Sequence, residues 1–252
     1  ALIHFGTTFE KKLATKAPSL PASAMQAPNT VKSEDECRKI LASIGIPMAN
    51  SEVAKSAKEA ISIWSAINGP VALKIVSPDI LHKTEIGGVR LNLNDPTEIE
   101  DAFNDIIEAG TKHYPKANIE GVIVSEMISE GVETVLGVIN DPIFGPAVMF
   151  GLGGVFVEVL GDVTFRLAPF DLSEAHRMIA EIKGIKMLYG ARGAASSDID
   201  AIADALVKLS IFASTNSDKI SSIDINPFIV RPEGQGAVGV DALIIPHGVD
   251  VI

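Results

Sequence analysis

A chain of 252 residues, 47% of them hydrophobic, has enough apolar surface for one large core or two small lobes. Its formal net charge of −11 argues against sequence-independent binding to nucleic acid or to an anionic membrane, while leaving room for a local cationic phosphate site. The one cysteine, Cys37, excludes a disulfide framework and a cysteine-built metal site, and no apolar run reaches the ~18 residues of a membrane span. No signal-peptide pattern is seen, and a reducing, cytoplasmic location is expected.

Residues 1–13, with Leu2, Ile3, Phe5, Phe9 and Leu13, read as a short helix, and residues 14–30, rich in Ala, Pro and Ser, as a linker. Together they are expected to be the tail of a preceding domain, in a chain that is one piece of a longer protein. Ser33-Glu-Asp-Glu36 is a capping box that opens a helix with Cys37, Ile40, Leu41 and Ile44 on one face, closed by Gly45 and Pro47. Ser56-Ala-Lys-Glu59 opens a second, with Ala60, Ile63, Trp64 and Ile67 inward, and Gly69-Pro70 stops it. Val71–Val76 reads as a buried strand with one charge, Lys74; Pro78 ends it, and a polar loop carries His82, Lys83, Thr84 and Glu85. Gly87-Gly88 then leads into the strand Val89–Leu93.

Asp95-Pro96 starts a helix with Ile99, Ala102, Phe103, Ile106 and Ile107 inward; strands are expected over 121–127, 132–139, 147–150 and 155–160. Asp141-Pro-Ile-Phe-Gly-Pro146 and Gly151-Leu-Gly-Gly154 are turns between them. Asp171 and Asp198 cap two further helices, separated by the loop Tyr189-Gly-Ala-Arg-Gly193. Three short strands close the chain, over 222–226, 227–230 and 237–244, with Pro227 dividing the first two. Helices and antiparallel-looking hairpins mix without regular βαβ alternation, which predicts an α+β fold.

Several residues are candidates for chemistry, each with a plainer alternative. Lys74 inside an apolar strand is either a fixed cation for phosphate or an edge-strand lysine that discourages aggregation. Gly87-Gly88 permits close backbone approach to an anion, or is only a turn. His82 is a general acid/base or phosphorus nucleophile, or a solvated loop residue. Glu126 and Glu133 flank a short turn that could connect two lobes and line a nucleotide, or they end an ordinary hairpin. Asp224, Asn226 and Asp241 lie on strands expected to pair; their oxygens could hold a hard cation such as Mg²⁺, or they form turns.

Taken in order, these pieces resemble one family: the ATP-grasp domain of ADP-forming (NDP-forming) acyl-CoA synthetases, including acetate–CoA ligase (ADP-forming). The resemblance runs from about residue 32 to 245. Its most specific part is Ala72-Leu-Lys-x-x-Ser-Pro-Asp-Ile-x-His-Lys-x-x-x-Gly-Gly-Val89. Glu126-Met127, Asp141-Pro142 with Phe144-Gly-Pro146, Gly153-Gly154 with Glu158, Gly190-x-Arg-Gly193, and Asp224-Ile-Asn-Pro227 with Val240-Asp-Ala242 support it.

The resemblance implies an ATP-grasp fold in which two α+β lobes clamp a nucleotide. It implies a domain over 31–252, with a smaller lobe near 46–127 and a larger lobe of 31–45 plus 128–252. It assigns Lys74, Gly87 and Gly88 to the phosphates, Glu126 and Met127 to the adenine, Glu133 to the ribose, Arg192 to the nucleotide site, and Asn226 and Asp241 to Mg²⁺. His82 matches a phosphohistidine position. The implied reaction is ATP + carboxylic acid + CoA giving acyl-CoA + ADP + phosphate, through phosphohistidine and an acyl phosphate. The implied partners are the CoA-binding and ligase domains or an α subunit, with no nucleic acid and no membrane. A non-catalytic nucleotide-binding module, and an ATP-grasp ligase that uses a free acyl phosphate, are the alternatives; both leave His82 idle.

Overall fold

The computed structural model describes residues 27, 33–80, 83–154, 161–190 and 195–248. The readings made at 1–13, at most of 14–30 and at 155–160, and the candidates His82, Glu158 and Arg192, lie outside the described residues.

The described chain is α+β, as expected. Its elements in order are α1 (Glu34–Ser43), β1 (Ser51–Ala54), α2 (Ala57–Ile67), β2 (Val71–Val76), β3 (Val89–Leu93), α3 (Pro96–His113), β4 (Gly121–Glu126), β5 (Val132–Asp141), β6 (Gly145–Leu152), β7 (Val163–Leu167), α4 (Leu172–Ala180), a 3₁₀ turn (Lys183–Met187), α5 (Ile199–Thr215), β8 (Ile220–Val230), β9 (Ala237–Gly239) and β10 (Leu243–Pro246).

Two antiparallel sheets divide them. The smaller has four strands in the order β1-β4-β2-β3. Val71, Leu73 and Ile75 alternate inward along β2 and meet Ile99, Phe103 and Ile106 of α3 and Ala60 of α2 in one core. Lys74, between Leu73 and Ile75, is therefore on the other face of the sheet, opposite Ile123 on one side and Val89 on the other. Since β2 is flanked by β4 and β3, Lys74 is not an edge residue, and the aggregation-guard reading of it falls.

The larger sheet has six strands, ordered β10-β8-β5-β6-β7 with β9 on β8. Leu136, Val138, Val148, Phe150 and Leu152 on its inner face pack against α4 and α5, and Cys37, Ile40 and Leu41 of α1 belong to the same core. The helix starts are capped as their sequences predict: Ser33 Oγ accepts from Glu36 N, Ser56 Oγ from Glu59 N, Asp171 from Glu174 N and Asp198 from Ala201 N. Among the described residues no helix is long and apolar enough to cross a membrane.

The structure corrects the strand expectations near the C-terminus. Pro227 does not divide 222–230: β8 runs unbroken through it. The register against β5 slips between Thr134 and Leu136, so the proline sits at a bulge, where it owes no ladder donor. Thr134 Oγ1 closes the irregularity by donating to Phe228 O at 2.6 Å. Conversely, 237–244 is not one strand; residues 240–242 separate β9 from β10. The strand expected over 147–150 extends to Gly145–Leu152, and β1 and β7 are strands that periodicity did not show.

Candidate functional site

The site is built where the face of the small sheet turned away from α2 and α3 meets the edge strand of the large one. Lys74 Nζ reaches across this seam to Asp241 Oδ2 at 2.7 Å and lies 3.6 Å from Glu34 Oε1. Its side chain is 14% exposed, so its charge is held in a confined place rather than in bulk water. Burial pushes the Asp241 carboxyl up, but the Lys74 charge and hydrogen bond, with the Lys83 charge behind them, outweigh burial and leave it below the usual carboxylate range.

The turn after β2 folds back beside Lys74, whose cross-strand partner is Val89. Gly87 and Gly88 serve it for different reasons. Gly87 has φ +74°, a left-handed conformation that costs other residues energy. Gly88 is buried, donates to Lys83 O at 2.8 Å and accepts from Ile75 N at 2.9 Å. A Cβ there would stand 2.9 Å from both Ile75 Cγ2 and Lys83 O. The loop is thus compact and tied to the strand that carries Lys74.

The residues at 126–133 form the passage between lobes. Glu126 ends β4 in the small sheet, and Glu133 lies near the start of β5 in the large one. Glu126 Oε2 accepts from Asn50 Nδ2 at 2.9 Å, which fixes its carboxylate. The Met127 N–H already donates to Pro70 O at 3.0 Å, so a base read by backbone donors in this passage is read beyond residue 127. Glu133 O accepts from Gly153 N at 2.8 Å, and the two residues are close: a Cβ on Gly153 would lie 3.0 Å from that of Glu133 and 3.1 Å from its carbonyl carbon.

Asp224 and Asn226 are two residues apart on β8 and face the same side, both exposed. Asp224 is paired with Leu243 of β10, and Asp241 sits just before that strand. Although the residue is open to water, partial desolvation of its carboxyl first, and then the Asp241 charge, push Asp224 up. Two carboxylates that repel one another beside a carboxamide oxygen form a donor set that a hard dication would relieve. Among the described residues no group of three or more His, Cys, Asp or Glu could hold a metal, so Mg²⁺ here would need further oxygens, of the kind a phosphate or water supplies.

Sequence reasoning missed Arg38. It is 3% exposed and donates to Val240 O at 2.5 Å, Ala49 O at 2.7 Å and Ser125 Oγ at 3.3 Å. One guanidinium therefore joins α1, the segment before β1, the small sheet and the β9–β10 loop, using the planar fork that lysine lacks. Nothing local marked it: Arg38 sits between Cys37 and Lys39 in the charged first half of α1, and its partners lie far away in the chain.

Comparison with known proteins places this geometry. The family description "ATP-grasp domain" matches residues 23–245. The chain belongs to this family of ATP-grasp proteins. It is 43% identical over 219 residues to the β subunit of acetate–CoA ligase (ADP-forming) II of Pyrococcus furiosus, covering 87% of this chain and 93% of that one. It is 41% identical over 211 residues to 4-hydroxybutyrate–CoA ligase (ADP-forming) of Nitrosopumilus maritimus, covering 84% of this chain but 30% of that longer one.

Among solved structures, the dinucleotide-forming acetyl-coenzyme A synthetase 1 of Ca. Korarchaeum cryptofilum with coenzyme A and Ca-AMPCP superposes with a TM-score of 0.82 at 45% identity, over 87% of this chain and 95% of that one. The same enzyme has been solved with coenzyme A, Mg-AMPPCP and a phosphohistidine segment pointing towards its nucleotide binding site. The close relatives of this chain are ADP-forming acid–thiol ligases, and β subunits of such enzymes match it over nearly their whole length.

Proposed function

We propose that this chain is the nucleotide-handling part of an ADP-forming acyl-CoA ligase. The observation that carries the reading is Lys74, held on an internal strand between the Gly87-Gly88 turn and Asp241 at the seam of the two lobes. ATP would bind along that seam, with its phosphates against Lys74 and under the glycine turn, its ribose towards Glu133, its adenine by Glu126 and the following passage, and Arg192 as a further contact. Asp241 and Asn226 would hold Mg²⁺, which when bound supplies charge neutralisation on the phosphates.

His82 would take the γ-phosphoryl group: its imidazole nitrogen forms the new N–P bond as the bond to the ADP oxygen breaks. In the complete enzyme the phosphoryl group passes from histidine to the carboxylate of the acid. CoA sulfur then displaces phosphate from the acyl phosphate. The CoA-binding and ligase portion would come from a partner subunit or further domains, and the protein would work in the cytoplasm. A purely regulatory nucleotide module is disfavoured because the relatives that match over most of this chain are named as ligases.

Calorimetry with Mg·ATP and Mg·ADP tests the site. Both should bind, and Lys74→Ala should lose more than about 1 kcal/mol, the size of a charge-assisted hydrogen bond. A folded protein that binds neither nucleotide at millimolar concentration refutes the reading.

A further inference from the structure

The first turn of α1 contains Glu34, Asp35 and Glu36. A carboxylate there gains from the helix dipole while remaining in water. Glu34 does not remain in water: its side chain is 7% exposed. It gathers cations from three elements instead. Lys83 Nζ lies 2.7 Å from Oε2, Lys74 Nζ 3.6 Å from Oε1, and Arg38 Nη1 3.8 Å from Oε1. Oε1 is buried with no hydrogen-bond partner, a cost that helix capping does not require.

The position of Glu34 says what this cost obtains. Lys83 follows His82 directly in the chain and belongs to the loop that Gly88 ties to β2. Lys74 is the cation at the phosphate end of the seam. Glu34 thus links that loop to that cation, and with Asp241 it satisfies positive charge that a nucleotide phosphate would otherwise meet. Two anions that seek the same cations weaken each other's hold, and the effect is reciprocal.

We propose that Glu34 is a positioning residue for phosphoryl transfer: through Lys83 it holds the loop at residues 83–88 against α1, and it competes with the nucleotide phosphates for Lys74 and Lys83. This rests on the function proposed above. It predicts two effects of opposite sense when the charge is removed. Nucleotide should bind more tightly, because a competing anion is gone. The loop should be less ordered, and transfer to histidine slower, because its anchor is gone. A residue that only stabilised the fold would weaken both together.

The test uses Glu34→Gln in the whole chain, with Lys83→Met as a second variant on the other side of the pair. Calorimetry with Mg·ADP should show about three- to tenfold tighter binding for E34Q. Hydrogen exchange without nucleotide should show about tenfold less protection at residues 83–88 in E34Q and in K83M, with no further loss in the double variant. Single-turnover phosphorylation from Mg·ATP should slow by about tenfold or more in E34Q despite the tighter binding. Weaker Mg·ADP binding by E34Q, wild-type protection at 83–88 in both single variants, or additive losses in the double variant would overturn the proposal. If E34Q does not fold, wild-type protection in K83M alone overturns it. Failure of the nucleotide site itself is seen separately, because the exchange measurement needs no ligand.

Discussion

Replacing Gly88 by alanine adds one carbon where the backbone leaves no space for it. The new Cβ would stand 2.9 Å from Ile75 Cγ2 and 2.9 Å from Lys83 O. Ordinary van der Waals contact is about half an ångström or more longer. Ile75 is fully buried in the small-lobe core and cannot retreat freely, and Lys83 O is main chain. The chain at 83–88 must therefore move, at the expense of the 2.8 Å hydrogen bond from Gly88 N to Lys83 O. Overpacking of this kind costs about 1–3 kcal/mol and the lost bond about 1 more, a total of ~2–4 kcal/mol. For a chain of this size that lowers the melting temperature by roughly 5–15 °C. Because Val89 pairs with Lys74, the shift reaches the cation, and Mg·ATP should bind about tenfold more weakly. Gly87→Ala is the control: it has no backbone atom within 4 Å of its Cβ, and only its φ of +74° opposes the change, which limits the cost to about 1–2 kcal/mol. Thermal unfolding and calorimetry on the two variants decide the matter. A Gly88→Ala protein with wild-type stability and affinity refutes the packing argument and the role given to the turn.

Other residues give sharper contrasts. Arg38→Lys keeps the charge but loses the fork that reaches Val240 O and Ala49 O together; it should cost ~2 kcal/mol and lower the melting temperature by about 4–8 °C, measured by calorimetric unfolding. Asp224→Asn should raise the melting temperature of the nucleotide-free protein at neutral pH, since the native environment disfavours the Asp224 charge. That gain should start to shrink as pH falls below the raised native pKa and be gone below the lower unfolded-state value, where the carboxyl is neutral in both states. Asp241 has the opposite sign: its lowered native pKa contributes stability above the unfolded-state value, lost as pH falls through the native one. Asp241→Asn should therefore flatten the acid limb of the stability profile, and an unchanged limb would contradict the Lys74–Asp241 pairing.

How far the sequence reached depends on how local each feature is. The caps at Ser33, Ser56, Asp171 and Asp198 and the Gly87-Gly88 turn depend on neighbours a few residues away, and the structure shows them as read. Lys74 was visible as a charge in an apolar strand, but only the pairing of β4 on one side and β3 on the other takes β2 from the edge to the interior. Arg38 and Glu34 were not legible as site residues. Arg38 bonds Ser125 and Val240 across 87 and 202 residues of sequence, and Glu34 meets Lys83 across 49. β1 and β7 escaped notice because each is four or five residues long and mixes polar with apolar positions. Pro227 misled the reading of β8 because a bulge opposite β5 removes the ladder bond that proline would have broken.

In the proposed reaction the γ-phosphoryl group leaves ATP for His82. The direct measurement is brief incubation with γ-labelled Mg·ATP, followed by quenching, peptide mapping and a test of the label's stability. The label should be lost in acid and retained in base, located on the peptide containing His82, absent in His82→Asn and discharged to ATP by added Mg·ADP. His82→Asn should still bind Mg·ADP with nearly wild-type affinity, since the histidine accepts phosphate and does not anchor the nucleotide. Label that survives acid, or that forms at the wild-type rate in His82→Asn, would rule out phosphoryl transfer to His82.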